Sequence, residues 1–539
     1  MRETTQKQSA VRAVLGAAMR SPQMTKLAAC VALSLAMVSN SLAAPSPTGW
    51  PLEVLSWDLT KAYPGIRYEW RLGVKGGVYP YTFTLQQGPS GMTVDADRGV
   101  IRWLAPSAPS SGNAVQIRIT DTMGAILTHS YSIDVTTAGF FFVAATGGSD
   151  TNPGTLALPW ATIAKAQAAA GDGIVYVKSG TYNAAAWSFQ VGNPNKWLAY
   201  PDESVILDLV GDNVGVGKSY AVVNGFEIRN SGAAIAKMFW VSGPTTNLIW
   251  RNNVMHGVNS TGANNPAFIF FEDDNYRPID GLVQYDRVVV QDNTFYDLIN
   301  DVDHGASVTC YNVKNLLYED NEAYQIDGRG VSDKDDGYYN TFRNNVLHDM
   351  GVGVGLFSQI TQGQIEVCYN LIYNCPRGIA IGAQPGYVRD VFVHRNTIVA
   401  GAIDFGSITD GVQSTNFNIY GNIISNGSGL LYSLYPVSNG AGGYGYPSWV
   451  GDPARAQIDN NLLWTTGSFV AGFSWGLVNK NLTAWQTSGY DVNSIAENPA
   501  LDASYSLPAG SPYLGLYGRD RPTTAVIRPS APSSLRVGP

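Results

Sequence analysis

The chain has 539 residues, too many for one ordinary compact core, so two domains or an elongated repeat are expected. Only 14% of the residues are charged, while Gly numbers 58 and Tyr 29, a composition typical of β-structure with many turns. The net charge of −8 argues against a nucleic-acid-binding protein, which needs a basic surface, but a local Lys/Arg cluster can still hold an acidic ligand.

The N-terminus has the pattern of an export signal. Lys26 precedes the apolar run LAACVALSLAMV, and small residues follow at Ala43 and Ala44. A basic residue, an apolar run and a small-residue cleavage site in this order are typical of secretory signal peptides. We therefore expect residues 1–43 to be removed and the mature protein to be secreted, periplasmic or at the cell surface. No later stretch reaches the ~18 apolar residues of a membrane span.

Residues 44–137 contain short alternating strands separated by turn residues, including GPSGMTVDADRGVIRW, AVQIRITDT and HSYSIDVTT. This pattern predicts a small β-sandwich. The first of these stretches resembles the Ig-like modules attached to secreted bacterial enzymes. The resemblance implies a spacer or binding accessory, not a catalyst.

A different pattern begins at Phe140. A strand, a loop rich in Gly, Asn and Pro, a helix at about residues 160–170 and a second strand are predicted. The segment resembles the entry of secreted right-handed parallel β-helix proteins, where a helix covers the open end of the coil. Such a cap protects an unpaired end strand from aggregation.

A repeat follows, in which apolar residues two apart precede an Asn and then one or two more apolar residues. The repeated asparagines are Asn253, Asn293, Asn321, Asn345, Asn370, Asn396, Asn422 and Asn461. Their successive spacings are 40, 28, 24, 25, 26, 26 and 39 residues, and a ninth copy carries Phe226 in place of Asn. The two spacings near 40 indicate long insertions.

A spacing near 25 residues is typical of one coil of a parallel β-helix with three short strands. Equivalent positions then stack ~4.8 Å apart, so the asparagines should form a hydrogen-bonded column that serves the fold and not the function. A leucine-rich solenoid fits less well, because no helix recurs in each repeat. We predict an all-β protein with a right-handed parallel β-helix of about nine or more coils at 138–520 and a disordered tail at 521–539.

The strands that follow the asparagine turns should form one parallel sheet whose outward side chains make a stripe along the coil. These strands are AFIFFEDD (267–274), ASVTCYN (306–312), GVSDKDD (330–336), GVGLFSQ (353–359), GIAIGAQ (378–384) and AIDFGSI (402–408). Lys334 and several carboxylates gather on one part of this stripe.

The segment VSDKDDGYYNTFRNN is similar to the Ser-x-Lys segment of the alginate lyase and chondroitinase B-like polysaccharide lyases, in the pectate lyase superfamily. The resemblance implies β-elimination on an acidic polysaccharide, with Lys334 as the base. The family's acidic metal ligands fall near Asp327 and Arg329, and only Asp327 is chemically compatible. The family's catalytic arginine falls around GLFSQ, which contains no arginine.

A lyase needs a base, an acid and a cation that stabilises the enolate-like charge. We expect Lys334 as the base and Tyr338 or Tyr311 as the acid. Calcium is the expected cofactor, since oxygen ligands bind it. Its candidate ligands are Glu272, Asp273, Asp333, Asp335 and Asp336. The candidate substrate-binding residues are Arg343, His304, Phe357 and Gln359.

The charges around Lys334 leave a second interpretation open. Neighbouring carboxylates raise the pKa of a lysine, which suits a solvated ion-pair cluster better than a base, unless calcium is bound or the aspartates point away. Strict alternation from an inward Val331 sends Asp333 inward, which is costly unless its carboxylate is paired.

Two other functions remain compatible with the sequence. A non-catalytic carbohydrate-binding or tailspike-like surface protein would use the same scaffold, with exposed aromatic residues such as Tyr285 stacking on sugars. A glycoside hydrolase would use paired carboxylates, of which DVDHG (301–305) is the nearest candidate. Cys310, Cys368 and Cys375 follow the signal, and an odd number cannot all pair with one another.

Overall fold

The computed structural model describes residues 48–520, apart from 105, 261, 273–284, 302–303, 359, 384–385, 407–413, 436, 439–443, 446–449, 453–454 and 474–478. The predicted export signal and the predicted tail lie outside these residues. Within the described residues, a parallel β-helix follows a small sheet-rich module, which confirms the predicted all-β fold class. No helix of this part of the chain is both long enough and apolar enough to cross a bilayer.

The N-terminal module is built from three small sheets in the described residues. A four-stranded sheet comprises Lys61–Ala62, Ile126–Val135, Ser110–Asp121 and Tyr81–Gln87. A three-stranded sheet comprises Tyr68–Arg71, Val100–Trp103 and Met92–Val94. A two-stranded ribbon pairs Glu53–Val54 with Val74–Lys75.

Three parallel sheets, numbered in the order in which each coil visits them, form the β-helix. Sheet 1 comprises Phe140–Val143, Ile174–Val177, Lys196–Ala199, Val222–Asn224, Thr245–Arg251, Tyr285–Gln291, Val313–Glu319, Tyr338–Arg343, Thr361–Cys368, Tyr387–His394, Thr415–Tyr420 and Ala456–Ile458. Sheet 2 comprises Gly180–Asn183, Val205–Asp208, Glu227–Arg229, Val254–Ser260, Thr294–Asn300, Glu322–Ile326, Val346–His348, Leu371–Tyr373, Thr397–Val399, Ile423–Ser425, Leu462–Trp464 and Ile495–Ala496. Sheet 3 comprises Ser188–Phe189, Val214–Val216, Lys237–Val241, Ala267–Phe271, Gly305–Cys310, Gly328–Lys334, Val352–Ser358, Arg377–Ala383, Ala402–Phe405, Tyr432–Leu434 and Ala471–Phe473.

The eight asparagines of the repeat form one continuous buried column between sheets 1 and 2, as predicted. Asn345 is representative: its Nδ2 donates to Asn370 Oδ1 at 2.9 Å and to the Tyr318 carbonyl of the preceding coil at 3.0 Å. The residue before it, Asn344, has a left-handed φ of 58°, which turns the chain from one sheet to the next. Phe226, the exception in the repeat, donates its backbone N–H to Asn253 at 3.1 Å and so ends the column.

Short helices lie near both ends of the coil. Ile163–Ala169 begins at the N-cap Thr162 and buries Ile163 in the β-helix core, as expected for an entry cap. The second helix, Leu482–Thr487, was not predicted. Its Trp485 is fully buried and stacks on Tyr432 at 5.4 Å between ring centroids, which extends the apolar core to the last coils. A two-stranded ribbon, Val437–Ser438 with Tyr444–Gly445, lies in the second predicted insertion.

The N-terminal module packs directly on the outer face of sheet 1 and is not a separate spacer. Module residues such as Trp70 and Val74 share one apolar cluster with the outward Ile249, Val289 and Leu317 of sheet 1. These three sheet residues occupy the same register position in consecutive coils. Because a sheet covered on both faces buries both sets of side chains, this half of sheet 1 behaves like the central layer of a three-layer protein.

Candidate functional site

The outer face of sheet 3 carries the predicted stripe. All six predicted strands lie in this sheet, parallel and in consecutive order from Ala267–Phe271 to Ala402–Phe405. Lys334 is aligned with Phe357 of the next coil, and Phe357 with Gly382 of the coil after that. Residues about 23–25 positions apart in the chain are therefore neighbours on one surface.

Lys334 lies in a compact polar group with Tyr311 and Asn265. Its ammonium donates to the Tyr311 hydroxyl at 2.9 Å and to Asn265 Oδ1 at 2.8 Å. Asn265 Nδ2 donates to the same tyrosine oxygen at 3.1 Å. Lys334 is half-buried and Tyr311 is 4% exposed. The tyrosine oxygen thus accepts two hydrogen bonds, an arrangement that stabilises a phenolate and directs the phenol proton elsewhere.

Asp333 points away from Lys334, into the interior of the β-helix. Its side chain is 0% exposed and accepts a hydrogen bond from Asn340 Nδ2 at 3.0 Å. A Cβ at Gly337 would approach Asp333 Oδ1 to 2.5 Å, so the glycine makes room for the carboxylate. Burial raises the pKa of Asp333 to about 7, although the bond from Asn340 opposes the shift. The predicted inward orientation of Asp333 is confirmed.

A basic and aromatic group lies beside Lys334 on the same face. The guanidinium carbon of Arg329 lies 4.8 Å from the centroid of the Phe357 ring, and that of Arg377 lies 5.6 Å from it. Arg377 also pairs with Asp404. Burial raises the pKa of Asp404, and Arg377 only partly offsets this shift. Phe357 is half-buried and is the predicted substrate-contacting residue that the structure brings next to Lys334.

Arg343 and Tyr338 do not join the Lys334 group, so the expectation that they lie beside it is wrong. Both belong to the sheet 1 strand Tyr338–Arg343. Arg343 is 1% exposed and donates to Glu319 at 2.7 Å and to the Tyr81 hydroxyl of the N-terminal module at 2.9 Å. The Tyr338 hydroxyl lies 2.5 Å from Thr361 Oγ1.

Those predicted calcium ligands that the structure describes do not converge on one ion. Asp333 lies inside the coil, where it cannot share an ion with outward carboxylates. Asp335 is buried, and Asp336 occupies the corner after the strand, with a left-handed φ of 57°. In the described part of the chain, Glu272, Asp333, Asp335 and Asp336 do not supply three carboxylates close enough to hold one cation. Asp273 lies outside the described residues.

The remaining predicted contacts are dispersed. His304 is exposed at the start of the Gly305–Cys310 strand, and Gln359 lies outside the described residues. Tyr285 is fully buried, which contradicts its proposed role as an exposed sugar platform, and its hydroxyl donates to the Val241 carbonyl at 3.0 Å.

Sequence reasoning missed Asn265, Arg329 and Arg377 as members of the site. Asn265 lies 69 residues before Lys334, in the loop that precedes a strand, and the repeat gives no signal for it. The two arginines did carry a signal. Arg329 and Arg377 occupy the same register position, two coils apart, with Val352 between them. Aligning the strands by register places both in one column with Val352, five positions before Phe357, and the direction of the side chains then brings them to the Phe357 ring.

One protein-family model matches the chain, and it covers the N-terminal module. The family described as "Putative Ig domain" matches residues 43–136, in agreement with the Ig-like interpretation. No curated protein matches the chain.

Similar solved structures include carbohydrate-active proteins. A "Rhamnogalacturonan lyase" has a TM-score of 0.41 and 14% identity over 72% of this chain and 95% of its own. "XylC with xylose" has a TM-score of 0.44 and 12% identity over 67% and 87%. "Pectate lyase Pel9A" has a TM-score of 0.39 and 15% identity over 74% and 91%.

Proposed function

We propose that this protein is a secreted carbohydrate-active enzyme that cleaves a uronate-containing polysaccharide by β-elimination. The observation that carries the proposal is the contact between Lys334 Nζ and the Tyr311 hydroxyl, 2.9 Å apart on the outer face of sheet 3. Two groups that can exchange a proton are thereby held together beside a basic and aromatic surface. These are the base and the acid that an elimination requires.

The protons and electrons balance within this pair. Neutral Lys334 removes the proton beside the uronate carboxylate, the electrons of that C–H bond form the new double bond, and the bond to the 4-oxygen breaks. Tyr311 donates its phenol proton to the leaving oxygen. An ammonium and a phenolate remain in contact, so one proton transfer from Lys334 to Tyr311 restores both groups.

The elimination also requires neutralisation of the substrate carboxylate, because its charge opposes formation of a second negative charge. Arg329 and Arg377 supply positive charge on both sides of Phe357. The inward orientation of Asp333 removes one carboxylate from the surroundings of Lys334 and so favours its neutral form. Calcium is also proposed as a cofactor that would neutralise the substrate carboxylate, and the proton transfers between Lys334, Tyr311 and the substrate do not require it.

The test is a panel of alginate, pectate and glycosaminoglycans, followed by the ultraviolet absorbance of the unsaturated uronate product. We expect cleavage of at least one polymer and a loss of about 10²-fold or more in kcat for Lys334→Ala. Lys314→Ala is the matched control, because Lys314 is also half-buried and contacts a tyrosine ring, but on sheet 1.

Three outcomes separate the alternatives. New reducing ends without the ultraviolet signal would replace elimination with hydrolysis. Glycan binding without any cleavage would indicate a binding protein. Full activity in Lys334→Ala would remove the proposed base. A calcium-selective chelator tests whether calcium is a cofactor. If activity is lost and added calcium restores it, calcium is supported as the cofactor, and if activity is unchanged, calcium is excluded.

A further inference from the structure

A second group of reactive side chains lies on the outer face of sheet 1, away from the Lys334 group. Glu366 and Cys368 are two residues apart on the strand Thr361–Cys368, and His394 is the register neighbour of Cys368 on the next coil. His394 Nε2 lies 3.0 Å from Glu366 Oε1. One carboxylate oxygen, the thiol sulfur and one imidazole nitrogen all lie within 4.8 Å of one another.

The group is enclosed. Glu366 and His394 are each 5% exposed and Cys368 is 0% exposed. Tyr420 stacks on the His394 ring, with centroids 5.2 Å apart and planes 5° apart, and this contact fixes the imidazole. In the described part of the chain, the Tyr420 hydroxyl is buried and has no hydrogen-bond partner.

The N-terminal module packs against sheet 1 next to this group. Tyr369 follows Cys368 in the chain, and its hydroxyl donates to the Tyr79 carbonyl of the module at 3.3 Å. The rings of these two tyrosines lie 5.1 Å apart. The group therefore lies where the module meets sheet 1, and its members are too buried to act on a polysaccharide.

We propose that Glu366, Cys368 and His394 bind one zinc-like divalent cation with a structural role. A thiolate, an imidazole and a carboxylate are ligands that Zn²⁺ prefers, whereas calcium and magnesium prefer oxygen alone. A dication also compensates the two negative charges that a thiolate and a carboxylate bring into a buried site. A four-coordinate shell needs one more ligand, and the buried Tyr420 hydroxyl, on the ring that stacks on His394, is the side chain we propose for it.

A catalytic role for Cys368 fits the geometry less well. The Cys368 side chain is 0% exposed. An enclosed thiol cannot reach a polysaccharide or any other substrate, so a resident cation is the function that uses all three groups.

Cobalt tests the site in the full-length folded protein, because thiolate–Co²⁺ coordination gives a near-ultraviolet charge-transfer absorbance. We expect one equivalent of Co²⁺ to produce this absorbance and one equivalent of Zn²⁺ to abolish it by displacement. Cys368→Ser should lose the band. Cys375→Ser, which removes another buried free thiol, should keep it.

His394→Gln is a second test, which keeps the proposal testable if Cys368→Ser does not fold. His394→Gln should weaken Zn²⁺ binding by more than about tenfold, since even the loss of an outer-shell partner has an effect of that size. Circular dichroism and the denaturation midpoint of each variant check that it is folded. A wild type without the band, or a band that persists in folded Cys368→Ser, would overturn the site.

Discussion

The outer faces of sheets 1 and 3 use charged residues in opposite ways. On sheet 1, Arg343 is buried, and its guanidinium is fixed by Glu319 and by Tyr81 of the module. On sheet 3, Lys334 and Arg377 remain partly exposed and lie beside aromatic rings. One repeated scaffold therefore builds a structural seam on one face and a candidate reaction surface on another. What separates them is the covering module and not the residue type.

Removing Arg343 should have the largest effect on stability. Arg343→Ala leaves the buried Glu319 with Arg71 as its remaining ionic partner, at 3.2 Å. Breaking a buried pair of this kind costs about 3–5 kcal/mol of unfolding free energy. Urea denaturation measures the loss, and kcat per folded molecule should not change.

The matched change on sheet 3 is Arg377→Ala. The Arg377 side chain is 42% exposed, and its partner is Asp404. An exposed pair contributes about 0–1 kcal/mol, so stability should hardly change while polysaccharide binding weakens. Equal destabilisation by both substitutions would contradict the distinction between the two faces.

Tyr311→Phe should have the next largest effect, and the quantity affected is kcat. The variant retains the ring beside Lys334 but lacks the hydroxyl proton that the proposed elimination delivers to the leaving oxygen. Loss of a general acid lowers kcat by about 10²-fold or more. Tyr338→Phe is the matched control, since this second candidate acid lies on sheet 1 with its hydroxyl against Thr361. If Tyr338→Phe has the slower turnover, the assignment of the acid to Tyr311 is wrong.

The coil and its asparagine column were predictable because they depend on one-dimensional spacing. A strand of fixed rise and a recurring turn are enough to bring Asn345 and Asn370 together. The same register brought Lys334 to Tyr311. Tyr338 and Arg343 were misassigned because the corner at Asp336 carries the chain to a different sheet within a few residues.

Docking of the module was not predicted, although the sequence carried its signal. The early coils read LIW, VVV and LLY, with no polar residue between the inward positions, whereas later coils read FNI and AQI. The middle residues form one register column, which runs from the apolar Ile249, Val289 and Leu317 to the polar Asn418 and Gln457. Unbroken apolar strands indicate a sheet buried on both faces. Which part of the chain covers them depends on three-dimensional shape.

A pH-dependent effect distinguishes the interior of sheet 3 from its surface. Burial raises the pKa of Asp333 to about 7 in the folded protein, against roughly 3.9 for an unfolded aspartate. Between these values the unfolded chain ionises first, so wild-type stability falls as pH rises from about 4 to about 7. Asp333→Asn removes this loss, because its side-chain oxygen still accepts from Asn340. Urea denaturation at several pH values should show the unfolding free energy of the variant rising relative to that of the wild type. The rise should be at most about 1.4 kcal/mol per pH unit.

An aspartate whose pKa is shifted the other way provides the control. Burial raises the pKa of Asp208, but hydrogen bonds from Ser231, from the backbone and from Arg229 lower it by more, so the net shift is downward. Its contribution is therefore present above about pH 4 and is lost as pH falls through the folded pKa. Asp208→Asn should be destabilising at neutral pH and approach the wild type in acid. If the stability difference between Asp333→Asn and the wild type does not change from pH 4 to pH 7, Asp333 is ionised in the folded protein. Its charge would then act on Lys334 from inside the coil.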